Sequence, residues 1–250
     1  MAEEIKVKSL YKALQVLECF SVEQPELGIT EISQRLGLYK SNVSNIVMTF
    51  VKAGYLEQNP ENSKYRLGFK ILELGNIISS NISLRKLLQP LMQEIAESAN
   101  EVVYLAVHYE GEVFYLDSAY PKNKLATRSM LGVKAPLHCT GIGKAMLAFL
   151  PEEAAKAVLN KPLKKFTENT ITDREALVQE LAEIRRNGYS VDRMEHEYGI
   201  KCVGIPILNK RGQVIAGMSV SGPSLRFDDE KIKQFSSLLK DAASRIADKL

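Results

Sequence analysis

Tryptophan is absent from this chain, and histidine and cysteine are scarce, with three of each among 250 residues. Cys19, Cys139 and Cys202 are odd in number and far apart. They exclude a disulfide framework, and without a CxxC pair they do not make a structural zinc site. A reducing cytoplasm is the expected compartment. No apolar run approaches the roughly 20 residues of a membrane span, and MAEEIKVKSL has neither the apolar stretch nor the cleavage site of a signal peptide. No sign of charge dominates either. The formal net charge is +3, and over residues 1–66 eight Lys and Arg are balanced by eight Glu. A nucleic-acid reading must therefore rest on where the cations sit. Repeats and low-complexity tracts are also missing. At 45% hydrophobic and 25% charged residues, the composition is that of an ordinary globular protein with one large or two modest cores.

Apolar residues at helical spacing predict a helix over Ser9–Ser21, and a second after an N-cap at Thr30 that closes at Gly37. A third begins near Lys40, where Val43, Ile46, Val47, Phe50 and Val51 make a complete apolar face and Gly54 terminates it. Tyr55–Gln58 and Lys64–Leu67 read as strands around the turn NPENS. Helix, helix-turn-helix and hairpin in that order make a winged helix-turn-helix, whose third helix enters the major groove. Its outer face carries Ser41, Asn42, Ser44, Asn45, Met48, Thr49 and Lys52. Asn pairs bidentately with adenine, and Ser or Thr serves bases or phosphates. Lys40 at the helix start and Lys64 and Arg66 on the hairpin are the expected backbone contacts. The competing reading is a solvated face on a small helical bundle.

Helices are predicted over Phe69–Ser80, apolar enough to pack against a second chain, and over Leu84–Ser98. From Val102 the period becomes strand-like. VVYLAVHY, EVFYLDSAY and KLATRSML read as strands, followed by helices in TGIGKAMLAFL, PEEAAKAVL and Asp173–Asn187. A hairpin from GIKCVGIPIL to VIAGMSVSGP and a helix over Asp228–Leu250 complete the chain. Without strict βαβ alternation, the expectation is α+β: an antiparallel sheet with packed helices.

HCTGIGKAML lacks the first glycine and the Ser or Thr of a Walker A loop, so nucleotide binding through it is rejected. A glycine turn opening a helix remains, either a carboxylate cradle or simply a tight turn. VDRMEHEYGIKC brings Asp192, Glu195, His196 and Cys202 close in sequence, without the spacing of a metal site. A nucleophilic Cys139 or Cys202 with His138 or His196 lacks an orienting third group. A solvated loop leading into a buried cysteine is the plainer reading. In MSVSGP, Ser219 and Ser221 point the same way from a strand. Their hydroxyls need partners, from neighbouring backbone or from a bound polar ligand.

Taken in order, KSLYKALQVLECF, LGLYKSNVSNIVMTFVKAGYL, PLHCTGIGKAMLAFLP and GYSVDRMEHEYGIKCVGIPILNKRGQVIAGMSVSGP resemble the IclR family of bacterial transcription regulators over nearly the whole chain. The resemblance implies a winged helix-turn-helix over residues 1–68, a linker helix over 69–82 and a GAF-like effector domain over 83–250. It implies a ligand-responsive regulator, with repression the favoured sense, bound to a double-stranded operator as a dimer or tetramer. It implies no catalysis, and neither a cofactor nor a membrane partner is expected. A sensor acting only through protein partners, or a Cys/His hydrolase, is the alternative. By motif match, effector contacts fall on Gly141, Ile142, Asp192, Cys202, Ser219 and Ser221, chemistry suited to a small hydroxy or keto acid. The recognition helix departs from the family where Asn45 replaces the usual Arg and Ser44 the usual His or Tyr, so the operator is this chain's own and the salt dependence is shallower.

Overall fold

A computed structural model describes residues 5–81, 83–123 and 130–249, and the chain divides into two compact units, residues 1–81 and 82–250. The first unit contains helices α1 (Lys8–Glu18), α2 (Ile29–Leu36) and α3 (Lys40–Lys52), strands β1 (Leu56–Gln58) and β2 (Tyr65–Leu67), and helix α4 (Phe69–Asn81). Val16, Ile32, Val43, Val47, Leu56 and Tyr65 form its core. The α3 apolar face thus seats the helix on its neighbours and leaves the opposite side outward.

Helix α2 begins two residues earlier than an N-cap at Thr30 requires. Gly28 is the cap, and the Glu31 carboxylate accepts its N–H at 2.7 Å, a bond that Thr30, inside the first turn, cannot make. The β1–β2 turn is pinned by Glu26, whose two carboxylate oxygens accept from Asn59 and Asn62 at 2.9 and 2.7 Å.

The second unit holds α5 (Ser83–Ala99), β3 (Val102–Tyr109), β4 (Glu112–Ala119), β5 (Lys134–Pro136), α6 (Gly141–Leu147), α7 (Glu152–Leu159), α8 (Arg174–Asn187), β6 (Ser190–Arg193), β7 (Ile200–Leu208), β8 (Val214–Pro223) and α9 (Asp229–Ser244). The six strands form one sheet in the order β5-β4-β3-β8-β7-β6, antiparallel throughout. The expected class, α+β with an antiparallel sheet, is what forms. One sheet face packs α5 and α9 through Leu88, Met92, Val203, Val220, Phe235 and Leu239. The other packs α6, α7 and α8 through Ile142, Met146, Val158, Leu177 and Leu181.

Three expectations differ here. Of the predicted strand KLATRSML, residues 124–129 lie outside the described residues, and the third strand is Lys134–Pro136. VDRMEHEYGIKC is not one loop, since Ser190–Arg193 forms the edge strand β6 paired with β7. The last helix stops at Ser244, followed by a 3-10 turn over Ala247–Lys249.

Helix α6 lies unusually close to the sheet because glycines meet on both sides. A Cβ on Gly141 would stand 2.9 Å from the Cys202 Cβ, and one on Gly204 would stand 2.5 Å from the Gly141 carbonyl oxygen. Gly204→Ala therefore has to push α6 off β7. Its expected cost is about 1–3 kcal/mol, read as a lower urea midpoint.

Candidate DNA interface and effector site

The outer side of α3 presents Lys40, Ser41, Asn42, Asn45 and Thr49, all exposed, with Ser44 half-buried. The Thr49 hydroxyl donates to the Asn45 carbonyl at 2.7 Å, so toward a base it can act only as an acceptor. The two cations of the hairpin are each paired with a carboxylate at the surface. Lys64 pairs with Glu31 at 3.1 Å and Arg66 with Glu57 at 3.3 Å. Exposed pairs of this kind contribute about 0–1 kcal/mol, little enough for phosphates to displace them.

In the second unit, strand register assembles a polar patch on the α6 side of the sheet. Asp192, Cys202 and Ser221 stand opposite one another across β6, β7 and β8. One row along are Ser190, Gly204 and Ser219, then Tyr104 on β3. The Ser190 hydroxyl donates to the Gly141 carbonyl, tying the α6 turn to β6. The structure thus brings all six expected effector residues together: Gly141 against Cys202, Ile142 over Gly204 and Gly217, and Asp192, Ser219 and Ser221 beside them.

The state of these groups follows from burial. Asp192 accepts the Glu195 backbone N–H at 2.7 Å, yet loss of solvent pushes its carboxyl up to about 7. Cys202 donates to the Ser221 hydroxyl at 3.0 Å, and burial raises its thiol well above the ordinary range. Burial also pushes the Cys139 thiol up to about 12. His138 Nε2 faces the Lys164 carbonyl at 3.0 Å rather than a cysteine. Neither thiol is therefore an activated nucleophile. Ser219 is 2% exposed, and among the described residues no hydrogen bond reaches its hydroxyl. Among the described residues, His108 Nε2 and Glu195 Oε2 are the fully buried side-chain atoms without a hydrogen-bond partner.

A second layer went unread in the sequence. Lys144 on α6 is fully buried, with its Nζ 2.8 Å from Glu180, 2.6 Å from Glu195 and 2.9 Å from the Val191 carbonyl. Glu195 in turn holds Asp192 through its backbone N–H. Thr167 and Thr170 donate to the Met194 and Glu195 carbonyls at 2.6 Å each, stitching the α7–α8 connection onto the β6–β7 turn. A signal for Lys144 was present: one cation inside GIGKAMLAFL, a helix otherwise without charge.

The two units carry distinct signatures. Residues 9–60 match the IclR helix-turn-helix domain, and residues 77–248 match the C-terminal domain of the bacterial transcriptional regulator IclR. The chain belongs to the IclR family. It is 35% identical to the HTH-type transcriptional regulator XynR of Escherichia coli K12 over 237 residues, 94% of each chain. It is similar to the crystal structure of Thermotoga maritima IclR, with 32% identity, a TM-score of 0.77, and 97% and 98% of the two chains covered. It is also similar to an IclR homolog from Microbacterium hydrocarbonoxydans complexed with 4-hydroxybenzoate, with 28% identity, a TM-score of 0.83, and 96% and 97% coverage. As an IclR-family protein this chain is a ligand-responsive, DNA-binding transcriptional regulator and not an enzyme. Among the described residues, no helix is long and apolar enough to cross a membrane.

Proposed function

We propose that this IclR-family regulator senses a small hydroxy or keto carboxylic acid at the patch formed by Gly141, Ile142, Asp192, Cys202, Ser219 and Ser221. The observation that carries the reading is the buried Ser219 hydroxyl, which no hydrogen bond reaches among the described residues, one row from Cys202 and Ser221 and on the same sheet face as Asp192. Such a group is costly to leave unsatisfied, and a polar ligand supplies the missing bond. The first-turn N–H groups of Gly141 and Ile142 suit the carboxylate of the acid, and Asp192 suits a hydroxyl. A relative crystallised with 4-hydroxybenzoate, itself a hydroxylated acid, supports the class. Joint replacement of Ser219 and Ser221 by alanine tests it: release from operator DNA by small hydroxy acids should be lost. An unchanged response contradicts the assignment.

On the DNA side, Ser41, Asn42, Ser44, Asn45 and Thr49 form the base-reading face, with Asn42 and Asn45 its main readers, while Lys40, Lys64 and Arg66 hold the backbone or minor groove. Asn42→Ala and Asn45→Ala are each expected to cost about 1–3 kcal/mol on the operator and relax its sequence preference. Lys64→Ala should weaken all sequences alike. Titrations of operator and scrambled duplexes check this, and equal losses on both for the Asn variants would falsify base reading.

Two copies are proposed to bind together. Helix α4 leaves Phe69 76% and Ile78 66% exposed, an apolar surface that a second chain would cover, as a two-half-site operator requires. The expected compartment is the cytoplasm, where the operator is, and the expected sense is repression. Deletion of the gene should raise transcription from the operator it binds.

A further inference from the structure

Tyr115 on β4 stands opposite Ala106 on β3, which stands opposite Gly217 on β8, so its side chain rises on the sheet face that carries α6. It packs edge-on against Tyr104, with ring centroids 5.4 Å apart, and Tyr104 stands opposite Ser219. The Tyr115 side chain is 7% exposed. Among the described residues no hydrogen bond reaches its phenolic oxygen. The ionisable groups acting on the phenol are, in order, Cys202, Tyr104, Asp192 and Cys139, two of which belong to the effector patch. Burial pushes the phenol well above its ordinary range, so it stays an O–H donor at any physiological pH.

We propose that Tyr115 is a ligand-recognition residue whose phenolic O–H donates to an oxygen of the effector remote from its carboxylate. This inference rests on the carboxylic-acid reading above and narrows it. The effector is an acid with a hydroxyl or carbonyl oxygen toward its far end, not one ending in a bare methyl group. A buried tyrosine hydroxyl that meets a methyl group keeps its desolvation without a partner, which is how a polar site rejects an apolar analogue. Tyr104 holds the ring of Tyr115 and sets its direction.

Calorimetric titration of the full-length protein with two matched pairs of acids tests the inference. The first pair is lactate and glycerate. The second is 2-hydroxybutanoate and 2,4-dihydroxybutanoate, which extends the reach by one carbon. Wild-type protein should bind the acid with the distal hydroxyl about three- to tenfold more tightly in at least one pair. In Tyr115→Phe, which keeps the ring and its packing on Tyr104, that ratio should fall toward one. A preference that survives in Tyr115→Phe overturns the assignment, as does wild-type protein that binds the acids without discriminating within either pair. The second arm needs no variant and so stands even if Tyr115→Phe does not fold. If no acid binds wild-type protein at millimolar concentration, the carboxylic-acid reading itself fails, and Tyr115 loses its assigned role with it.

Discussion

Replacing Lys144 by methionine is expected to destabilise the second unit by about 3–5 kcal/mol, the cost of leaving buried charge without its partner. Lys144 is 0% exposed and bridges Glu180 and Glu195, whose side chains are 20% and 4% exposed. Glu195 Oε2 already lacks a partner, so removing the Nζ leaves the second oxygen with only the long 3.4 Å bond from the Arg193 N–H. Methionine fills the volume, so the loss is electrostatic and not a cavity effect. It should also depend on pH. Burial already raises the Glu195 carboxyl above its ordinary range, and loss of the ammonium raises it further. The variant is then least impaired in acid, where Glu195 takes a proton, and most impaired above the raised pKa. Urea unfolding at several pH values reads both effects. Adding Glu195→Gln to Lys144→Met should recover part of the loss. A single variant within about 0.5 kcal/mol of wild type would contradict the assigned role of the cluster. Because Glu195 also holds Asp192, the variant should respond poorly to effector even where it remains folded.

Effector affinity is expected to fall as pH rises above about 7, by up to tenfold per unit, with uptake of one proton on binding. Asp192 titrates near 7 in the folded protein against an ordinary 3.8. An anionic acid beside it favours the neutral carboxyl and therefore raises that value further. Protein below pH 7 already holds the proton, whereas protein above it must acquire one. The same raised value acts on folding. Between about 3.8 and about 7 the unfolded chain binds fewer protons than the folded one, so this group's contribution to stability declines across that window and levels off above it. Titrations of glycerate binding between pH 6 and 8.5 in buffers of different ionisation enthalpy measure both slope and proton uptake. Asp192→Asn should flatten the profile. A pH-independent affinity in wild type would remove Asp192 from the ligand's immediate surroundings.

Much of this architecture was legible in the residues. The α3 face is one periodic pattern, and the structure buries Val43 and Val47 as that pattern requires. The helix over Asp173–Asn187 carries its own boundaries, with Asp173 accepting the Ala176 N–H and Gly188 taking a left-handed conformation. What failed to read was non-local. Strand β6 has only four residues, two of them charged, and is a strand because β7 supplies its register. The Lys144 cluster joins residues 36 and 51 positions away, beyond any local window. Lys64 and Arg66 were legible as cations, but their pairing with Glu31 and Glu57 depends on how the hairpin folds back. The effector patch lay between these cases. Ser219 and Ser221 share a face by simple alternation, whereas their meeting with Asp192 and Gly141 depends on antiparallel register and on glycines that let α6 approach.

The most direct test of a ligand-responsive, sequence-specific regulator is fluorescence anisotropy on DNA fragments tiled around the protein's own gene, at physiological salt, with and without millimolar glycerate. One fragment should bind roughly 10³-fold or more above the rest, and the acid should shift that affinity without altering the weak background. Uniform binding of every fragment, unmoved by the acid, would contradict base reading by Asn42 and Asn45 and acid sensing by the Ser219 patch together.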